Sequence, residues 1–288
     1  MSTTFVNQSK TVFLLGGLIA LFVAVGSMWG TQGMITALIL GGAMNVGAWF
    51  FSDKIAIMSM RGQEVTRDSG PQVSGNVSSR ELYEMVDELR QRAGLPMPRV
   101  YICPHQAPNA FATGRSPKKA AVAATQGLLQ MMSRDEIAGV MAHELAHVKN
   151  RDTLTSCIAA TIAGVLAFVA QWFFLIGGGR REGGHPLIGF AVVILAAVGA
   201  AMIKAMISRS REFVADAHGA EIAGSPEGLA SALGKLDAMS RRIPLVQPNP
   251  AQNNLFIVEP LAGGQALVNL FATHPPTEKR IAALRSIR

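Results

Sequence analysis

Charge is what this chain has least of. Only 16% of its 288 residues are Asp, Glu, Lys or Arg, against roughly 25% in an average soluble domain. Hydrophobic residues make up 49% and mean hydropathy is +0.29. That balance excludes intrinsic disorder and argues against an ordinary soluble enzyme. Cysteine is nearly absent too. Cys103 and Cys157 have no C-x-x-C spacing, so neither a disulfide framework nor a thiol-based metal site is expected, and both read as packing residues. No internal repeat or low-complexity tract is visible. Acidic residues (19) are outnumbered by basic ones (26), giving a net charge of +7. Nucleic acid is not the expected partner, because no recognition module accompanies that charge. Basic residues beside membrane spans are expected from the orientation rule and from anionic lipid.

What is abundant is apolar sequence, and it is concentrated in four runs: 11–28, 33–51, 153–176 and 187–207. Each approaches the ~20 residues a helix needs to cross the hydrocarbon of a bilayer. Lys204, near the end of the fourth, is the one charge inside any of them, and its long side chain can snorkel to the headgroups. A cleaved signal peptide is the other reading of the first run. The second run follows so closely that the two read instead as a retained hairpin anchor. The expected class is therefore a mainly α integral membrane protein with four transmembrane helices. A transmembrane hairpin occupies 1–52, a polar segment 53–152, a second hairpin 153–207 and a second polar segment 208–288. Of the 26 basic residues, 13 lie from Lys54 to Arg151 and nine from Arg209 to Arg288, so both polar segments are expected on the cytoplasmic side. Arg180 and Arg181 sit on the opposite side and mildly violate the rule.

Within the first polar segment, Ser78-Ser79-Arg80-Glu81 predicts a capping box opening a helix that ends at Gly94. Strands are predicted at 99–103, 109–113 and 120–125, enough for a small sheet. Ser133-Arg134-Asp135-Glu136 predicts a second capping box and a helix through Asn150. In the second segment, Ser225-Pro226 predicts a helix start, and 241–254 reads as a mobile loop.

The helix through Asn150 carries His143-Glu144-Leu145-Ala146-His147. Histidines at i and i+4 share one face, so both imidazoles reach one ion, and zinc suits that donor set. Glu144 stands beside the first ligand, in reach of a metal-activated water as general base. A third ligand is required. Glu212, Asp216, His218, Glu221, His274, His105 and His185 are the available residues. Glu212 and Asp216, four apart on the helix after the fourth run, suit a pairing of ligand and supporting carboxylate. In that pairing Glu212 binds the metal and Asp216 accepts the second N–H of a ligating histidine. If the helices continue out of the bilayer, His147 and Glu212 hang about 7–9 Å below the same membrane face.

Four stretches then combine: 109–114 (Asn-Ala-Phe-Ala-Thr-Gly), 143–147, 210–216 (Ser-Arg-Glu-Phe-Val-Ala-Asp), and 271–276 (Phe-Ala-Thr-His-Pro-Pro) with Arg280. Together they resemble the HtpX family of membrane-integral heat-shock zinc metalloproteases, distantly similar to the eukaryotic CAAX prenyl proteases. The resemblance covers nearly the whole chain. It implies a cytoplasmic zincin-like α+β catalytic domain and a multi-pass endopeptidase of the bacterial inner membrane. The substrates implied are damaged or misfolded membrane proteins, in a stress response. It also implies one Zn2+ held by His143, His147 and Glu212, with Glu144 as base. Asn109, Ala110, Phe111 and Ala112 then form an edge strand to which an extended peptide adds by main-chain hydrogen bonds; an ordinary core strand is the other reading. His274 and Arg280 become oxyanion donors, or else part of a helix-capping turn. A homo-oligomer stays open.

Two other readings compete. In an intramembrane protease of the site-two type the metal helix would lie within the bilayer, but Arg134, Asp135, Lys149 and Arg151 bracket it at a high cost for that depth. In a non-enzymatic scaffold the zinc would be structural, which normally requires four protein ligands.

Overall fold

The computed structural model describes residues 30–69, 75–152, 211–240 and 275–287, with Val23 and Arg209 singly. The chain divides into two units: Met1–Trp49 with Leu154–Ile207, and Phe50–Thr153 with Ser208–Arg288. The runs at 153–176 and 187–207, the run at 11–28 save Val23, the loop 241–254 and His274 lie outside the described residues.

In the first unit, helix α1 (Gly30–Phe50) is 21 residues long without an Asp, Glu, Lys or Arg. It exposes Ile35, Ile39, Leu40 and Val46. It takes in residues 33–50 of the run expected at 33–51. Even so, among the described residues no helix is long and apolar enough to cross a membrane.

The second unit begins with a short helix, α2 (Ser52–Ser59), and strand β1 (Gln63–Val65). Helix α3 (Ser79–Ala93) opens on the expected capping box, Ser78 with Glu81, and stops where Gly94 takes φ 69°. That left-handed cap costs glycine least. Strands β2 (Arg99–Cys103), β3 (Ala110–Thr113) and β4 (Ala121–Thr125) match the three predicted within a residue. Helices α4 (Gln126–Met131) and α5 (Arg134–Asn150) follow. Next come α6 (211–223), α7 (Glu227–Ser240) and α8 (Thr277–Arg285).

The four strands form one sheet in the order β1-β2-β4-β3. β2 and β4 pair in parallel, Arg99 opposite Ala121; β1 and β3 flank them antiparallel. The alternation of strand side chains divides the buried residues. Val100, Ile102, Ala110, Val122 and Ala124 face the main core, with Leu82, Val86, Leu89, Val140 and Leu145 from α3 and α5. Tyr101, Cys103, Phe111, Ala121 and Ala123 face the other way, against Ala56 and Met60 of α2. With helices over both faces, β4 is buried along its whole length, which explains its run of small apolar residues.

Close backbone contact sets the helix layer. A Cβ on Gly139 would meet the backbone of Leu229 at 2.4 Å. α5 and α7 therefore pack backbone against backbone there, and α8 rests on α7.

Candidate metal centre

α5 is fixed at both ends. At its start the Ser133 N–H donates to Glu136 Oε2 at 2.7 Å, completing the capping box. Glu136 also accepts from Ser231 Oγ (2.6 Å) and Lys235 Nζ (2.7 Å), both on α7. Burial opposes charge on Glu136, but these donors outweigh it and hold its carboxyl below the usual range. At the other end Arg151 takes φ 58°, a left-handed cap on a residue that is not glycine. The chain turns back there, and Asp152 Oδ2 comes to 2.8 Å from His147 Nδ1.

α6 lies across the middle of α5. Glu212, Asp216 and Gly219 recur at helical spacing on one face. A Cβ on Gly219 would meet His143 Cα at 2.9 Å, so glycine permits the crossing that brings Glu212 and Asp216 to the histidines. His143 Nδ1 lies 2.9 Å from Asp216 Oδ1. His143 Nε2 and His147 Nε2 are 3.1 Å apart. Glu212 Oε2 is 3.6 Å from the first and Oε1 is 3.5 Å from the second.

These donors fit a tetrahedral ion. Ligands ~2.1 Å from zinc at tetrahedral angles are about 3.4 Å apart, close to the three spacings seen. The protonation logic agrees. His147 Nδ1 is hydrogen-bonded to Asp152 and His143 Nδ1 lies in ion-pair range of Asp216, so with the proton on Nδ1 each neutral ring would present a bare Nε2 lone pair to its neighbour and to Glu212. Three acceptors meet beside the Arg280 guanidinium, whose Nη2 is 3.5 Å from His143 Nε2, and their lone pairs converge on a point that suits a cation or extra protons. In the metal-free protein, burial disfavours a charge on His143. Asp216 and Glu212 outweigh burial and push its pKa up to about 10. His147 is also raised: burial opposes its charge, but Asp152 and Glu212 prevail.

The supporting carboxylates are themselves held. Arg280, on α8, donates from Nε and Nη2 to the two Asp216 oxygens at 2.8 and 2.7 Å. Its Nη1 lies 3.3 Å from Glu212 Oε2. Burial would raise the Asp216 carboxyl; Arg280 and His143 hold it down at about 2. Arg280 is 1% exposed. Burial opposes its charge, yet Asp216, Glu212 and Glu144 more than compensate. On the other arm, Arg211 Nη1 donates to the Asp152 main-chain carbonyl at 2.9 Å.

The structure therefore brings together His143, His147, Glu212, Asp216 and Arg280. Among the described residues, the first three form the one His/Cys/Asp/Glu group close enough to share an ion. Glu144 is buried on the same helix. Arg280 is engaged by two carboxylates, a structural duty beside the oxyanion role expected for it. His274 and His185 lie outside the described residues. His105 is turned elsewhere, onto the Met60 carbonyl at 3.1 Å. His218 pairs with Asn150 Oδ1 at 3.1 Å, and Glu221 is exposed. Asn109, Ala110 and Phe111 are buried, and Ala112 is partly exposed. β3 ends the strand order and packs against α5. Sequence reasoning missed Asp152 and Arg211. The signal available was a carboxylate five residues after the second histidine, just past the end of its helix.

A family model described as Peptidase family M48 matches residues 76–288. The chain belongs to peptidase family M48. It is 49% identical over 287 residues to a "Protease HtpX homolog" of Desulforapulum autotrophicum, covering 97% of this chain and 89% of that protein. It is 48% identical to one of Syntrophobacter fumaroxidans, covering 98% and 99%. The M48 chain also shares its fold with a crystal structure of S. mikatae Ste24p (TM-score 0.58, 18% identity). That match covers 99% of this chain and 66% of the other. This M48 chain is thus a metalloendopeptidase, with His143, His147 and Glu212 grouped as a metal site requires.

Proposed function

We propose that this peptidase is a membrane-associated, multi-pass zinc endopeptidase of the bacterial inner membrane. In this reading its catalytic unit faces the cytoplasm and it degrades misfolded or damaged membrane proteins. Hairpins at 1–52 and 153–207 anchor two catalytic segments, 53–152 and 208–288. The observation that carries the reading is the convergence of two Nε2 lone pairs and a Glu212 oxygen, each histidine backed by its own carboxylate. Membrane attachment is supported by four long apolar runs and by the uncharged, outward-facing apolar side chains of α1. Placement outside the hydrocarbon is supported by the charged residues bracketing α5.

His143, His147 and Glu212 hold the ion. Zinc there supplies Lewis acidity, polarising the scissile carbonyl and making a water acidic enough to attack at neutral pH. Glu144 takes the proton from the attacking water and passes it to the departing amine. The peptide bond breaks into a carboxylate and an amine. Asp216 orients His143. His274 and Arg280 donate to the oxyanion, Arg280 while also gripping Asp216. An extended substrate adds to the edge of β3 along Asn109–Ala112. With Phe111 buried, main-chain hydrogen bonds dominate that contact, so an unfolded chain is favoured over a particular sequence.

The test is Glu144→Gln in the purified full chain. It is expected to keep one zinc per chain and to cut unfolded casein at least ~100-fold more slowly. Undiminished cleavage with zinc retained overturns the assigned base. Absence of bound zinc in the wild-type chain overturns the whole reading.

A further inference from the structure

α2 is apolar on two opposite faces. One face is fastened to the sheet. Ala56 and Met60 pack on Phe111, Tyr101 and Cys103, and Asp53 pairs with Arg99 at 2.5 Å. The opposite face carries Phe51, Ile55 and Met58, spaced one turn apart and 46%, 53% and 73% exposed. A helix apolar all round is ordinarily buried, and among the described residues this side stays exposed. Basic groups surround it. Lys54 Nζ sits 5.8 Å from the Phe51 ring centre. The Arg115 guanidinium stacks 3.8 Å over Phe50, while Nη1 donates to the Phe50 carbonyl. Phe50 ends the uncharged helix α1, so α2 follows an apolar segment directly in the chain.

We propose that the outer face of α2 seats in the headgroup layer of an anionic phospholipid bilayer, with Lys54 and Arg115 engaging lipid phosphates. Apolar side chains pointing one way with cations at their rim match an interfacial helix, which sinks about 5–10 Å into the headgroup boundary. The alternative occupant, a second copy of this chain, carries a net charge of +7 and would meet these cations with like charge overall. The inner face of α2 holds Phe111 of β3, and Arg115 follows β3 by two residues. Lipid contact and the edge strand are therefore one packed unit. The inference rests on the membrane reading proposed above.

The full chain reconstituted in phosphatidylcholine vesicles, with or without phosphatidylglycerol, tests it. A nitroxide is placed at Met58→Cys in a Cys157→Ser background. Cys103 stays unlabelled, because it is buried and its thiol is pushed up to about 11. The reference label is Glu84→Cys, on the exposed side of α3. The Met58 label is expected to be open to oxygen and several-fold more shielded from a water-soluble nickel chelate than the reference. Phosphatidylglycerol should increase that shielding and raise casein cleavage. Lys54→Gln with Arg115→Gln should abolish both increments while leaving cleavage in phosphatidylcholine unchanged. A Met58 label as open to nickel as the reference overturns the inference, as does one shielded from both reagents, the mark of a protein partner. Phosphatidylglycerol increments that survive the double variant overturn the roles of Lys54 and Arg115. Flotation with vesicles after an alkaline wash reports on the membrane reading separately. Retained flotation with a water-exposed Met58 rejects this inference alone.

Discussion

The two histidines of the site have the same chemistry and are held in opposite ways. His143 leans on Asp216, and Asp216 is gripped by Arg280 from a helix 64 residues further along the chain. Every member of that arm is within 2% of full burial. His147 leans on Asp152, five residues away, delivered by one left-handed turn at Arg151. Its ring is partly open, and Arg211 reaches the Asp152 main-chain carbonyl. One arm is secured by tertiary structure and desolvated charge, the other by local geometry. The buried arm ties metal binding to the integrity of the fold. The local arm orients its ligand with little cost elsewhere.

Removing the charge of Asp216 should therefore cause the largest effect. Asp216→Asn keeps an oxygen for His143 but removes the closer of the two carboxylates that compensate the Arg280 guanidinium in a dry interior, leaving Glu212 at 3.3 Å. Breaking a buried pair in this way costs roughly 3–5 kcal/mol. Zinc affinity should fall by about 10- to 100-fold as the ring loses its anchor. Thermal unfolding and competition against a chelator measure the two losses. A drop in affinity without a drop in stability would erase the contrast between the arms.

Asp152→Asn should do the reverse in proportion. Zinc affinity should fall by about 10-fold, while stability falls by no more than about 1–2 kcal/mol. Arg211 keeps its bond, because its acceptor is the main-chain carbonyl. The same two measurements apply, and equal stability losses in the two variants would show that the arms are not different in kind.

How much of this was legible beforehand follows the same division. His143, Glu144 and His147 were readable because helical periodicity is local, and the capping box at Ser133 marked where the helix begins. Glu212 and Asp216 were readable as a pair four apart. The strands of the sheet were visible as short apolar runs between turn residues, except β1, three residues long with two exposed. Asp152 was not legible, because its position depends on a left-handed residue that is not glycine, which no propensity signals. The motif 271–276 with Arg280 places that arginine at the site, but its double grip on Asp216 is a contact between distant segments and leaves no spacing to read. The exposed side of α2 was hidden for a related reason. Its apolar residues occupy both faces, and only the packing of Ala56 and Met60 shows which face the protein uses.

The local arm can be sharpened further at Arg151. A residue other than glycine in the left-handed region pays roughly 1–2 kcal/mol, partly offset by the backbone freedom glycine brings to the unfolded chain. Arg151→Gly should leave zinc affinity unchanged and raise stability by up to about 1 kcal/mol, read as a higher unfolding temperature. A loss of affinity would mean that the arginine side chain, not the turn, aims Asp152.

The smallest effect belongs to the ion pair at the other end of α5. Lys235 and Glu136 meet at 2.7 Å, as close as Arg280 and Asp216, but the lysine is 46% exposed where Arg280 is 1%. Solvent screening keeps such a pair to about 1 kcal/mol or less. Lys235→Met should cost no more than that and leave zinc affinity untouched. Its pH dependence has a definite sign. The Glu136 carboxyl is depressed in the folded state, so its contribution is fully present above the ordinary carboxylate pKa of about 4.3 and is lost as pH falls from there through the lowered folded value. The gap between wild type and variant should therefore be open at pH 7 and close on acidification. A gap that persists at pH 3 would mean that the lysine stem packs against α5 rather than pairing with it. The contrast between buried and screened carboxylate grips would then rest on the Asp216 arm alone.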